Sequence, residues 1–125
     1  ERKSEILRNA RALVFPSLCY ENFSLAILDA LSVGTPIIAS RIGGVPYILE
    51  DGVDSLLFTP GDTDALTEQL QEVLQHPDRL LRMGQRGLEQ TLPKYSEAAH
   101  YDALMKIHAE VTGRAAREDR DMNGD

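Results

Sequence analysis

Hydrophobic positions along this chain change their period several times, and each change marks an element. From Glu1 to Ala12, Ile6, Leu7 and Ala10 recur at helical spacing among charged residues. The helix they predict runs straight into Leu13-Val14-Phe15, a short apolar block of the kind a buried strand shows. After Pro16 and Ser17 a loop leads to Asn22 or Ser24, either of which can cap a helix by accepting from its free N–H groups. That helix, predicted over about Phe23 to Val33, is apolar nearly all round and so belongs in a core. Gly34 ends it and Pro36 bars its continuation. Ile37 to Ser40 then reads as a strand buried on both faces, as a parallel sheet requires.

Gly43-Gly44 predicts a turn in which backbone approaches a ligand or a neighbouring strand closely. Pro46 opens a short helix through Glu50, closed by an Asp51-Gly52 turn. Ser55 to Thr59 is a third strand, and Asp62 caps a helix with Leu66, Leu70, Val73 and Leu74 on one face, ending at His76-Pro77. Asp78 is expected to cap a further helix lined by Leu81, Gly84, Leu88 and Leu92, whose glycines admit another element closely. A last helix opens at Tyr95-Ser96, turns Leu104, Ile107 and Val111 inward and stops near Gly113. Residues 1–113 thus form one domain, and 114–125, with acids and bases mixed and few apolar residues, are expected to be a disordered tail.

Strand, helix, strand followed by further alternation predicts an α/β fold, a Rossmann-like parallel sheet with flanking helices, whose ligands bind outside the carboxyl ends of the strands. A helix that feeds a first parallel strand normally crosses over from an earlier one, so an N-terminal portion is expected before Glu1.

Composition leaves this picture unchanged and charge narrows it. At 125 residues the chain has the size of about one domain, small for an enzyme that holds two substrates. A net charge of −7 argues against nucleic acid as a partner. The apolar runs stop well short of the roughly 20 residues that cross a bilayer, and no signal-peptide pattern opens the chain, so a cytoplasmic location is the expectation. Cys19, alone of its kind, cannot make an internal disulfide, and no Cys/His cluster has metal-ligand spacing; no cofactor is expected beyond a substrate. His76, His100 and His108 lie on or beside amphipathic helices without a triad-like context, and Arg41 reads as a solvated base at a rim.

Two acids interrupt the apolar stretch from Leu13 to Gly44. The loop Ser17 to Ser24 brings a helix N-terminus beside the strand ends, where free N–H groups and the helix dipole favour a phosphate. Asp29 stands amid Ala26, Ile27, Leu28, Ala30 and Leu31. A carboxylate buried there without partners would be costly, so it is expected to face a polar cleft or a hydrogen-bonded ligand such as the vicinal diol of a ribose. Eight residues separate it from Glu21, at most about 12 Å along a helix. That is comparable to the distance from sugar to ribose across a diphosphate.

The run Glu21-Asn22-Phe23-Ser24-Leu25 through Asp29-Ala30-Leu31 is followed by G-T-P-I-I-A-S from Gly34 to Ser40. Gly43-Gly44-Val45-Pro46 and D-G-V-x-x-L-L-F-x-P-G-D from Asp51 to Asp62 come next. Together they resemble the group 1 (family 4) glycosyltransferases of GT-B fold, over nearly all of Ser4 to Val111. The resemblance implies the C-terminal part of a GT-B enzyme: the donor-binding portion of a retaining glycosyltransferase that takes a sugar from a nucleotide-diphosphate sugar to an unknown acceptor, without a protein-held metal. It implies Glu21 as the catalytic residue at the donor sugar. The backbone of Asn22, Phe23, Ser24 and Leu25 would meet sugar hydroxyls and diphosphate, Asp29 the ribose hydroxyls, with contacts from Gly43 and Gly44.

Asp29 is one methylene shorter than the glutamate usual there, and Tyr47 replaces a glutamate common after the loop proline. The family's basic residues for the diphosphate lie on earlier strands and its acceptor site in a preceding domain, so this chain alone is expected to be inactive. The alternative is a non-catalytic structural fragment that binds no nucleotide and self-associates through open sheet edges.

Overall fold

A computed structural model describes the backbone of residues 2–122 and the side chains of residues 2–113. Its centre is a parallel sheet of β1 (Leu13–Phe15), β2 (Ile37–Ser40) and β3 (Ser55–Phe58), in the order β1-β2-β3. Leu13 pairs with Ile37, and Ile37 with Ser55. Around it lie α1 (Arg2–Asn9), α2 (Leu25–Ser32), α3 (Val45–Ile48), α4 (Thr63–Gln75) and α5 (Pro77–Arg86). The chain continues through a π turn at Gly87–Thr91 and a 3-10 turn at Leu92–Tyr95 into α6 (Glu97–Met122). It divides into two compact units, Glu1–Pro93 and Lys94–Asp125. This is the expected α/β, Rossmann-like architecture.

Every residue of β2 and β3 is buried. Ile38, Leu56 and Phe58 form one apolar cluster with Val73 of α4 and with Leu80 and Met83 of α5. Ile37, Ala39 and Leu57, one residue out of phase, point to the opposite face of the sheet and are buried as well. The expected buried β1 is different. Val14 is 38% exposed, because β1 is the edge of the described sheet and has a neighbour on one side alone.

The helix expected to be buried all round is buried on one face, at Ile27, Ala30 and Leu31, while Leu25 is 70% exposed. Its end follows the expected plan: Gly34 has φ 73, Thr35 N donates to Ala30 O and Gly34 N to Leu31 O, the paired bonds of a glycine-terminated helix. Ser24 holds the capping position, but its side chain makes no cap bond. The Asp62 side chain does cap α4, accepting from Ala65 N at 2.9 Å.

Further along, the inward face of α5 keeps the expected Gly84 but replaces the expected Leu81 with Leu80 and Met83. Leu80, Met83 and Gly84 are buried and Leu81 is exposed, with His76 rather than Asp78 at the capping position. Tertiary packing sets this phase: a side chain on Gly84 would collide with the carbonyl of Gly34, so α5 packs directly on the backbone there. On α4, Val73 is buried but Leu74 faces solvent.

In the second unit Leu104, Ile107 and Val111, expected inward, are each more than half exposed. The α6 backbone continues as helix through Met122, past the expected stop near Gly113. Of the expected disordered tail, the side chains of 114–125 and the backbone of 123–125 lie outside the described residues. Among the described residues no helix is long and apolar enough to cross a membrane.

Candidate functional site

Three parallel strands deliver three loops to one rim. Residues 16–24 leave the carboxyl end of β1, 41–44 that of β2 and 59–62 that of β3. The rim is tied together: Arg41 N donates to Phe58 O at the end of β3 at 2.8 Å, and Gly61 of the third loop lies beside the Leu18 side chain of the first. Because α2 follows the first loop directly, its N-terminal end opens on this rim.

Glu21, partly buried, is placed by main chain. Gly44 N donates to its carbonyl at 2.6 Å. Gly43, at φ 55, and Gly44 lie flat against the backbone of Glu21 and Asn22, and a Cβ on Gly44 would fall far inside van der Waals contact with Asn22 O. The diglycine loop is therefore needed for a close approach, as expected, and the partner it approaches is the backbone of the first loop. Asn22 and Phe23 are exposed, Ser24 is buried and Leu25 begins α2 facing solvent. Since the Ser24 hydroxyl takes none of the first-turn N–H groups, the amide end of α2 is not capped by it.

Asp29 lies about one turn into α2, roughly 6 Å along the axis from its first residue. It is half-buried and its Oδ2 is paired with the Lys3 ammonium of α1. The expected polar environment is thus present, and its visible partner is a cation. Nothing local in the sequence pointed to Lys3, which is 26 residues away. Arg41, the base nearest the loops, pairs with Asp51, whose other oxygen accepts from Leu57 N at 2.9 Å. Tyr47 is exposed on α3. Cys19 is exposed in the first loop.

A third carboxyl group went unremarked in the sequence. Asp54 is buried, accepting from Glu50 N at 2.8 Å and from the Thr91 hydroxyl at 2.6 Å. It ties the start of β3 to the π turn, and Gly87 of that turn packs against Leu31 of α2. At the end of β2, the Ser40 hydroxyl is fully buried and has no hydrogen-bond partner among the described residues. No group of three or more His, Cys, Asp or Glu among the described residues could hold a metal ion.

Comparison with known proteins places this geometry in context. Residues 1–76 match the family model described as glycosyl transferases group 1. The MMP alpha-(1->4)-mannosyltransferase of Mycolicibacterium hassiacum is 34% identical over 117 residues, covering 93% of this chain and 28% of that protein. Sucrose-phosphate synthase from Thermosynechococcus elongatus superposes with a TM-score of 0.72 at 28% identity, over 84% of this chain and 26% of the solved one. HepE of Anabaena, solved in complex with UDP-glucose, superposes with a TM-score of 0.78 at 16% identity, over 88% of this chain and 30% of that one, a likeness of fold. The chain spans less than a third of the length of each of these relatives.

Proposed function

This chain belongs to the group 1 glycosyltransferases, with their α/β GT-B fold, and from that premise we propose that it is the donor-binding portion of a retaining enzyme and holds a nucleoside-diphosphate sugar on its carboxyl-end rim. The observation that carries this reading is the meeting of the Glu21 loop, the Gly43-Gly44 loop and the start of α2 on one rim, with Asp29 a turn along the helix.

In this reading the diphosphate lies at the N-terminal end of α2. The helix carries about half an elementary positive charge there, and the Ser24 side chain leaves its amides open. Backbone of Asn22, Phe23, Ser24 and Leu25 lines the sugar and the diphosphate. Glu21 faces the transferred sugar, where a carboxylate stabilises the positive charge that develops at the carbon losing its leaving group. Asp29 accepts from the ribose hydroxyls. No metal held by the protein enters the reaction.

A departing diphosphate needs more cationic charge than one helix end supplies. Near this rim Arg41 is paired with Asp51 and Lys3 with Asp29. The remaining cations and the acceptor site are therefore assigned to the parts of the enzyme outside this chain, which by itself transfers no sugar.

Titration calorimetry of the full-length enzyme with uridine, guanosine and adenosine diphosphates tests the reading, UDP first because HepE was solved with UDP-glucose. One of the three is expected to bind, and Asp29→Ala to weaken it by about tenfold or more, the worth of a hydrogen bond to a charged group. Unchanged affinity removes Asp29 from the ribose. Failure of all three to bind overturns the donor site.

A further inference from the structure

We propose that Lys3 is a specificity-determining residue for the ribose, forming with Asp29 a mixed ammonium–carboxylate clamp on the vicinal diol, a role that rests on the donor-site reading above. A glutamate reaching a diol can offer one oxygen to each hydroxyl. Asp29 is shorter by one carbon–carbon bond, about 1.5 Å, and its Oδ2 is already engaged by Lys3. Oδ1, which Lys3 does not engage, accepts from one hydroxyl. The second hydroxyl then meets the ammonium, which has three N–H donors and spends one on Asp29. Since a hydroxyl accepts as readily as it donates, the pair matches a diol as well as two carboxylate oxygens do.

Lys3 is held in this place by more than its charge. It lies one turn before Leu7 on the same face of α1, and the Leu7 carbonyl accepts from the buried Thr35 hydroxyl at 2.8 Å, just beyond the end of α2. That bond fixes α1 alongside α2 and carries Lys3 to the level of Asp29. The Lys3 side chain is 69% exposed, so its remaining donors are open to a ligand. An ion pair this exposed adds little to stability, which leaves ligand recognition as the role the geometry fits.

The test uses the full-length enzyme and whichever of UDP, GDP and ADP binds it, together with the 2′-deoxy and 3′-deoxy forms of that nucleotide. Wild type is expected to bind both deoxy forms about tenfold more weakly than the ribonucleotide. In Lys3→Met, which keeps the length and removes the donors, one of the two penalties is expected to vanish and the other to remain, with Lys3→Arg restoring the lost one at least in part. Both penalties persisting in Lys3→Met, while Asp29→Ala still weakens binding, overturns this role alone. Tighter ribonucleotide binding by Lys3→Met overturns it too, because Lys3 would then compete with the diol. A wild-type enzyme that binds no diphosphate fails the donor-site reading first and this clamp with it.

Discussion

Glu21 and Asp29 lie toward the same end of one sheet and are held by opposite means. Glu21 is backed by main chain, with the Gly44 amide on its carbonyl and two glycines pressed against its backbone. Asp29 is met by one exposed lysine from a separate helix. A close fit between backbones is indifferent to salt and hard to alter by small steps, whereas an exposed ion pair is screened within about 10 Å at 0.1 M ionic strength and changes with a single substitution. In the proposed donor site this difference would divide the labour: the Glu21 loop would supply the rigidity that chemistry at a sugar carbon needs, and the α1–α2 rim the adjustability that suits ligand selection.

The largest expected effect comes from breaking the backbone side. Gly44 has φ −77, open to any residue, so Gly44→Ala imposes no backbone strain and acts through the close approach to the backbone of Asn22 and Glu21. The two loops must part, and sugar transfer by the full-length enzyme is expected to fall by about 100-fold, the penalty of a displacement near 1 Å. A transfer rate like that of wild type would erase the contrast, since Glu21 would not depend on its glycine backing.

A smaller effect is expected beneath α2. Thr91→Val keeps the shape and removes the donor to buried Asp54, costing roughly 1–3 kcal/mol. A lowered thermal midpoint checks it, and an unchanged one would mean that α2, and so Asp29, is not braced through the π turn. Smallest is Ser40→Ala at the end of β2, just before the diglycine loop. Its hydroxyl is buried and unpartnered among the described residues, so removal is expected to stabilise by at most about 1 kcal/mol. A clear loss of stability would reveal that the hydroxyl supports that loop.

Much of the site was legible because its signals are local. The Gly34-Thr35-Pro36 stop, the Asp62 cap and the close approach of Gly43-Gly44 each follow from what a few neighbouring residues permit. Burial was less legible. Leu13-Val14-Phe15 has the composition of an interior strand, but its exposure depends on what lies beyond it in the sheet, and α2 is apolar on a face that the described residues leave open. On α5 the periodicity fitted Leu81 as well as Leu80 and Met83, and the packing of Gly84 against Gly34 chose between them.

By itself, then, the sequence determined the α/β order, the parallel sheet, the two-acid pattern and the turn chemistry of the loops, because strand and helix periods and the limits on glycine and proline act over a few residues. Tertiary structure alone decided that the diglycine loop leans on Glu21, that Lys3 meets Asp29 across 26 residues, and that Asp54 meets Thr91 across 37. Those pairings join side chains or backbones far apart in the chain. No local preference encodes them, and they exist once the sheet has brought the strand ends and the flanking helices together.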